Sequence, residues 1–299
     1  MRYFLMALSV TTTLCAAEAE KKELNVDSFQ NDYRYQKFSR FIGNKLQNFQ
    51  KSHMPQVKNV FYPFGGPDLL HPLLLFPDAK IYVLVGLEPL GAPLSLENAN
   101  STSAKLDSLL RRGFFVTSTM GQTFNAKSGV RAALGLEILL SGGKIVKDEI
   151  IDPQTLKISF EWRGQQKVVY YLKRNLISDS NELFVFLHQV DVSDACLIKS
   201  SSYALHNKEF GDLKEKILKS FSLLVQDDTG VPLRDLGGQD IQLFGNYTAP
   251  YGKEFKSYHQ KSLARKYQNT QGVTPLDFCF GYGCGRVPAN LMITKLRPQ

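Results

Sequence analysis

One stretch, residues 59–91, constrains the fold more than any other part of the chain. Its sequence, NVFYPFGGPDLLHPLLLFPDAKIYVLVGLEPLG, predicts a strand, a Gly-Gly-Pro-Asp turn, a short apolar segment, a second strand and a Glu-Pro turn. Such a unit is typical of a parallel α/β sheet, in which ligands bind beyond the carboxyl ends of the strands. Asp68 and Glu88 follow the two predicted strands, which makes this edge the first place to look for a site.

The remaining periodicities predict further helices and strands. Helices are predicted over residues 27–50, 103–112, 130–140 and 252–268, and Asn207 is predicted to cap another one with an apolar stripe that runs to Leu224. Strands are predicted over 114–119, 156–162, 168–172, 183–188 and 241–247; the second and third form a hairpin, and the last is the final long strand. The predicted fold class is therefore α/β: a mixed sheet with a Rossmann-like parallel N-terminal part, an antiparallel second half, and helices packed on the sheet.

The N-terminus predicts export. Arg2 precedes a short apolar run, and Ala17-Glu18-Ala19 fits the small-x-small pattern of a signal-peptide cleavage site. We therefore predict a signal peptide at residues 1–19 and a single α/β domain at 20–299, with a possible sub-division near residue 150. The product would be periplasmic or secreted. Lipid anchoring at Cys15 is disfavoured, because no small residue precedes it, and no later apolar run is long enough for a membrane helix.

The positive charge is concentrated at the two ends of the mature chain. The net charge of the whole chain is +8, and both residues 20–60 and residues 249–299 have more lysine and arginine than acidic residues. These basic segments are where an anionic envelope component would bind, although solvated helix faces are the better explanation for them. The partner stays unknown, and nucleic acid is disfavoured because the basic and aromatic residues near the N-terminus fit an amphipathic helix.

Three cysteines remain after the predicted cleavage site. Cys279 and Cys284 flank a Phe-Gly-Tyr-Gly segment and are the candidates for a disulfide in an oxidising compartment. Cys196 is predicted to be a buried apolar thiol. The five histidines show no spacing typical of metal ligands, so neither a metal site nor a cofactor is predicted.

The candidate catalytic residues are Asp68, His71, Glu88 and Asp228. Asp68 and His71 are three positions apart, so one helical turn would place them on the same face. The Gly-Gly turn followed by Glu88 also suggests a nucleotide-binding unit, in which an acid binds the ribose. That interpretation is weakened by the missing third glycine and by Pro67, which lacks a backbone N–H for a phosphate. A tight turn with Asp68 as a helix cap is the simpler interpretation.

Two other motifs are weaker. Asp228-Thr229-Gly230 is the tripeptide of aspartic proteases, but that chemistry needs two such loops and the chain has one. An Asx turn after a helix explains it more simply. A Ser-His-Asp set could be chosen from the residues around His206, but there is no G-x-S-x-G segment to expose a serine.

Several blocks resemble a protein family. They are YPFGGPDLL and FPDAKIYVLVGLEPLG within residues 62–91, VQDDTGVPLRDL at 225–236, LFGNYTAPYGKEF at 243–255, and the PLDFCFGYG segment that follows. Together they resemble a family of exported, uncharacterised bacterial proteins that carry YPFGGPD and GLEP blocks. The resemblance implies one large domain and supplies no catalytic residues.

Two classes of function follow from the sequence. The first is an exported, non-catalytic protein that binds a ligand or associates with the cell envelope. The alternatives are a hydrolase-like enzyme with a polar site around Asp68, His71 and Glu88, and a degenerate nucleotide-binding protein of the Rossmann type. The position of the carboxylates in the fold discriminates between them.

Overall fold

The computed structural model describes residues 32–113, 124, 129–282 and 288–296. The predicted signal peptide, the predicted strand at 114–119 and Cys284 lie outside these residues. The predicted disulfide between Cys279 and Cys284 therefore stays a prediction. Cys196 is buried in a central strand, as predicted.

The described residues form one nine-stranded sheet with the order β3-β4-β5-β2-β1-β6-β7-β9-β8. The strands are β1 (Asn59–Tyr62), β2 (Ile81–Gly86), β3 (Lys144–Asp152), β4 (Thr155–Trp162), β5 (Gln165–Lys173), β6 (Ala195–Ile198), β7 (Leu223–Gln226), β8 (Asp240–Gly245) and β9 (Asn290–Lys295). The five central strands, in the order β5-β2-β1-β6-β7, are parallel. The antiparallel strands lie at both edges, so the predicted mixed α/β fold is confirmed.

The order of the parallel strands is that of a Rossmann-type sheet. The chain runs from β1 outward through β2 to β5, then returns to the other side of β1 as β6 and continues to β7. The point where the direction reverses, between β1 and β6, is the switch point at which such folds bind ligands. Asn59 links β1 to the segment before β6 at the opposite, amino-terminal end of these strands. Its side chain accepts hydrogen bonds from the backbone N–H groups of Ser193 and Asp194 at 2.8 and 2.7 Å.

Helices cover both faces of the sheet. They are α1 (Tyr33–Phe38), a π-helical segment (Ser39–Gly43), α2 (Asn44–His53), α3 (Leu70–Leu75), α4 (Leu96–Arg112), α5 (Val130–Leu140), α6 (Ser180–Gln189), α7 (Gly211–Ser220) and α8 (Lys261–Asn269). Short 3₁₀ segments lie at Ala204–His206, Lys208–Phe210, Leu233–Asp235 and Lys253–Tyr258. Helices α1 to α5 share one hydrophobic core, whereas α6 and α7 share a second core on the opposite face. This two-sided cover is what buries a parallel sheet.

Helix α4 shows why local signals define some elements well. Ser95 and Asn98 form a capping box at its start, and Gly113 ends it in the left-handed conformation at φ 76°. The predicted end at residue 112 is confirmed, whereas the predicted start at 103 is seven residues late. The earlier start follows from the cap at Ser95, which the sequence analysis did not consider.

Four other predictions need correction. Residues 183–188 were predicted as a strand but lie in helix α6, where Leu183 and Leu187 are buried and Val185 is exposed. Strand β8 is followed by β9, so it is not the final strand. The helix predicted at 252–268 is divided into the 3₁₀ segment Lys253–Tyr258 and helix α8. The apolar stripe predicted after Asn207 ends at Phe221, the C-cap of α7. Leu224 does not belong to the stripe, because it lies in β7.

Candidate functional site

Asp68 and His71 meet at the carboxyl end of β1. The Gly-Gly-Pro-Asp turn bonds to the next strand through the N–H of Gly66 and the carbonyl of Val85, at 3.0 Å. Asp68 then precedes the short helix α3, which carries His71. The Nδ1 atom of His71 lies 2.9 Å from Oδ1 of Asp68, so the predicted pairing of these two residues is observed.

Lys199 completes this cluster from the other side of the switch point. It follows β6, and its Nζ atom lies 3.0 Å from Oδ2 of Asp68 and donates a hydrogen bond to the carbonyl of Gly113. The hydroxyl of Tyr62 donates to the same Asp68 oxygen at 3.2 Å. Asp68, His71 and Lys199 are 1%, 0% and 2% exposed. We call these four side chains, with Glu137, the Asp68 cluster.

The Asp68 cluster contains one buried ion pair. Burial alone would raise the pKa of Asp68, but the neighbouring His71 and Lys199 outweigh it and lower the pKa. Burial also lowers the pKa of His71, so its ring is neutral at pH 7 and the Lys199 ammonium is the charge that keeps Asp68 ionised. The imidazole then donates its Nδ1–H to Asp68. Its Nε2 atom is buried and has no hydrogen-bond partner among the described residues.

Glu137 is a second buried acid beside this pair. It lies on α5 and accepts hydrogen bonds at Oε2 from the backbone N–H groups of Leu69 and Leu70, at 2.6 and 3.2 Å. Burial and the nearby charge of Asp68 raise its pKa well above the usual range. Both effects favour the protonated form of Glu137, because a second negative charge beside Asp68 would be unfavourable.

Glu88 does not share a hydrogen bond with the Asp68 cluster. It follows β2, and its carboxylate accepts a hydrogen bond from the hydroxyl of Tyr171 at 2.8 Å. Tyr171 lies on β5, and its hydroxyl also accepts a hydrogen bond from the backbone N–H of Glu88. Glu88 is 8% exposed, so its contacts are largely internal.

Asp228 lies in a third network, at the carboxyl end of β7. Its Oδ2 accepts a hydrogen bond from the hydroxyl of Tyr203 at 2.6 Å, and its Oδ1 accepts one from the amide of Asn290 at 2.8 Å. Its neighbour Asp227 accepts hydrogen bonds from the backbone N–H groups of Ser200 and Tyr282. Burial, together with the adjacent Asp227, raises the pKa of Asp228 to about 7. We call this group the Asp228 cluster.

The Asp228 turn follows a strand, whereas the sequence analysis placed it after a helix. Thr229 bonds back to Asp227 through both its N–H and its hydroxyl, at 3.1 and 2.5 Å. Ser201 donates its hydroxyl to the carbonyl of Thr229 at 2.6 Å, so it does not contact His206 as a Ser-His pair would require. An Asx-type turn is therefore observed, but its side chain is that of Asp227, and the turn follows strand β7.

The glycine turn does not show the features of a nucleotide cradle. A Cβ atom on Gly65 would lie 2.6 Å from the Tyr62 ring, so this glycine allows the turn to pack against the protein's own side chain. A Cβ atom on Gly86 would lie 2.6 Å from the Tyr171 hydroxyl. Close approach to a pyrophosphate is the usual reason for glycine in a dinucleotide-binding turn. Here the contacts with Tyr62 and Tyr171 explain why both positions are glycine.

The structure thus brings Asp68 and His71 together and places Glu88 and Asp228 in separate networks at the same edge of the sheet. Sequence analysis missed Lys199, Tyr203 and Asn290. A lysine directly after a buried strand was the available signal for Lys199, because lysine is almost never fully buried unless it is paired.

Comparisons with known proteins add little to this description. No family model matches the chain, and no curated protein matches it. Among solved structures, the chain matches the plantazolicin methyltransferase BpumL, solved in complex with SAH, over 94% of this chain and 92% of that chain. The sequence identity is 10% and the TM-score is 0.32, which is too low to support an argument from that protein to this one.

Proposed function

We propose that this chain is an exported ligand-binding protein that does not itself catalyse a reaction. One observation carries the proposal: the charged side chains at the switch point are buried and bonded to each other. Asp68 binds Lys199 and His71, and all three are almost completely shielded from solvent. A catalytic acid or base must reach a proton of the substrate, whereas these groups neutralise one another.

The fold supports binding at the same edge. Rossmann-type sheets bind ligands beyond the carboxyl ends of their parallel strands, and these ends carry the turns with Asp68, Glu88 and Asp228. The predicted signal peptide supports an exported location. None of the described helices is long and apolar enough to cross a membrane.

A ligand screen that also measures turnover tests the proposal. The chain from residue 20 would be screened by thermal shift against a library that includes NAD and S-adenosylmethionine, because the strand order is typical of nucleotide-binding folds. We expect a ligand that raises Tm and is recovered chemically unchanged after incubation. Conversion of that ligand by the parent chain would contradict the proposal.

A hydrolase-like enzyme is the second candidate, and the unpartnered Nε2 atom of His71 favours it. A neutral imidazole whose other nitrogen is oriented by a carboxylate has the arrangement of a general base. The variant His71→Gln distinguishes the two candidates. If the parent converts a ligand and the folded variant does not, His71 is catalytic. If both only bind the ligand, the binding proposal stands.

A further inference from the structure

Strand β3 forms one edge of the nine-stranded sheet, and no strand of the described residues pairs with its outer side. It is 9 residues long, whereas strands are most often about five or six residues long. Three of its apolar side chains reach solvent, because Val146, Ile150 and Ile151 are 58%, 48% and 56% exposed. A long edge with exposed apolar residues is able to pair with a strand of another chain.

Charges and an irregular backbone protect this edge against an arbitrary strand. The pairing of β3 with β4 is interrupted by two β-bulges, one at Val146 and one at Ile151. Both bulges and charged side chains are common on edges that do not aggregate. The two lysines of β3 come first along the strand and its three acids follow: Lys144, Lys147, Asp148, Glu149 and Asp152. This order leaves one partner that the charges attract, which is a second copy of β3 running in the opposite direction.

The sequence of β3, KIVKDEIID, is complementary to itself when it is read in both directions from Asp148. In an antiparallel pair with a two-fold axis at Asp148, each lysine lies opposite an acid of the other copy, and each apolar residue lies opposite an apolar residue. The opposite pairs are Lys144 with Asp152, Ile145 with Ile151, Val146 with Ile150, and Lys147 with Glu149. Both kinds of cross-strand pair stabilise an antiparallel sheet.

The match is limited to this register. Opposite residues of an antiparallel pair lie on the same face, so the symmetric registers are those that place one residue on the two-fold axis. Moving the axis to Lys147 or to Glu149 places like charges opposite each other at the axis and charged residues opposite apolar ones beside it. The regular part of the strand between the bulges, residues 147–150, contains both Asp148 and the central charged pair.

Asp148 meets its own copy on this axis, and Arg131 offsets the repulsion. The Nε atom of Arg131, on α5, donates to both carboxylate oxygens of Asp148, at 2.7 and 2.8 Å. Each copy therefore brings a compensated ion pair to the axis. The two terminal nitrogens of Arg131 make no hydrogen bond to a described residue, so they are available to the second carboxylate.

We propose that two copies of this protein associate through β3 and continue the sheet as an antiparallel, two-fold symmetric pair. Each copy contributes the same strand, so the assembly closes at two. The contact is one strand wide, which is typical of a weak and reversible dimer. The proposal goes beyond ligand binding and holds whether or not a ligand is found.

Sedimentation velocity of the purified protein tests the proposal at concentrations between about 1 µM and 1 mM. We expect monomer and dimer in an equilibrium that depends on concentration, with a Kd under about 1 mM. Hydrogen exchange of the backbone amides of residues 144–152 should be slower at the high concentration, because the pairing protects the outward N–H groups. A monomer throughout the range, or a dimer with unchanged exchange in β3, would overturn the proposal.

Charge reversal at the central pair tests the register. Lys147→Glu and Glu149→Lys each place like charges opposite one another in two symmetric pairs, so each variant should raise the dimer Kd about tenfold or more. Lys51→Glu reverses a charge at an exposed position on α2 and should leave the Kd within about twofold. A dimer that persists unchanged in both β3 variants would lie at another surface and overturn the proposal.

An equal mixture of the two β3 variants gives the sharpest test. In the mixed dimer one copy has acids at both central positions and the other has lysines, so both central pairs regain opposite charges. We expect the mixture to form about tenfold tighter dimers than either variant alone at the same total concentration. A mixture of Lys51→Glu and Glu182→Lys, which changes the same charges on exposed helix positions, should show no such gain. No gain in the β3 mixture would overturn the antiparallel pairing.

Discussion

The Asp68 cluster and the Asp228 cluster place buried carboxyl groups at the same edge of the sheet, but their pKa values are shifted in opposite directions. Asp68 lies 3.0 Å from a buried ammonium, and its pKa is lowered. Asp228 has a second aspartate beside it and pairs with no cation among the described residues, and its pKa is raised to about 7. Burial raises both pKa values, so the neighbours His71 and Lys199 of Asp68 decide the difference.

The comparison shows that burial alone does not indicate a catalytic acid. In the Asp68 cluster the charge is compensated internally, which fits a structural role. In the Asp228 cluster no cation among the described residues pairs with the carboxyl, and its pKa is near neutral pH. A perturbed pKa in a cleft is a functional signal only when no internal partner accounts for it.

The largest expected effect comes from removing the buried cation. Lys199→Met leaves the Asp68 carboxylate without its partner, and we expect the free energy of unfolding to fall by about 3–5 kcal/mol in urea titrations. Lys51→Met is the exposed control and should change it by less than about 0.5 kcal/mol.

The double variant Asp68→Asn, Lys199→Met sharpens this prediction. Removing both charges should restore part of the stability that Lys199→Met loses, because the unpaired charge is the main cost. A double variant as unstable as the sum of the two single variants would show that Asp68 and Lys199 do not interact.

The second prediction concerns pH. Because the pKa of Asp228 is near 7 in the folded chain and near 3.8 when unfolded, the folded state retains a proton that the unfolded state has lost. Stability should therefore fall as the pH rises from about 4 to 7. Asp228→Asn removes this contribution. Between pH 5 and pH 8, the free energy of unfolding of the variant should therefore fall by a few kcal/mol less than that of the parent.

Urea titrations at both pH values measure this difference, and Asp240→Asn, an exposed change at the start of β8, is the control. The control should follow the parent curve. If the stability of the parent and of the Asp228→Asn variant depended on pH in the same way, the raised pKa of Asp228 would be contradicted.

A smaller effect is expected at Gly113, whose carbonyl accepts the Lys199 hydrogen bond. Gly113→Ala places a Cβ atom at φ 76° and 3.4 Å from Nε2 of His71, and should cost about 1–2 kcal/mol. Gly142→Ala is a matched control, because Gly142 has φ 83° and no atom within 4 Å of its added Cβ. The excess loss at Gly113, from thermal or urea unfolding, measures packing against the Asp68 cluster. Equal losses would show that only the backbone matters.

The smallest effect is expected from Tyr203→Phe, which removes one hydrogen bond to Asp228. We expect a loss of about 1 kcal/mol at pH 8 and a smaller loss at pH 5, because the hydroxyl bonds most strongly to the ionised carboxylate. Tyr33→Phe, at an exposed position on α1, should have no effect. A larger loss at pH 5 than at pH 8 would reverse the assigned charge state.

Local signals predicted much of the fold. The segment 59–91 gave the parallel pair β1 and β2, and the alternating pattern after residue 155 gave the hairpin of β4 and β5. Helix α6 was mistaken for a strand because residues 183–187 are a run of large apolar side chains. In the folded chain Leu183 and Leu187, four residues apart, are buried, which is the spacing of a helix. This spacing is not visible in the sequence, because every residue from 183 to 187 is apolar.

The site was harder to predict because its decisive contact is long-range. Asp68 and His71 are close in sequence, and spacing alone predicted that they would meet. Lys199 reaches Asp68 only because the chain returns to the other side of β1 as β6. Nothing local specifies which strand will become the neighbour of β1, so the charge that sets the protonation of Asp68 could not be inferred from sequence pattern.

The junction between β1 and β6 also has a kinetic consequence. Asn59 bonds to Asp194, which is 135 positions away in the chain, so the middle of the sheet closes only after most of the polypeptide is available. Contacts between such distant residues slow folding, and until β6 docks, β1 presents an open strand edge. We therefore expect refolding to be slow and the half-formed sheet to be the species that aggregates. Asn59→Ala should slow refolding in stopped-flow experiments if the junction forms in the transition state, and should only accelerate unfolding if it forms later.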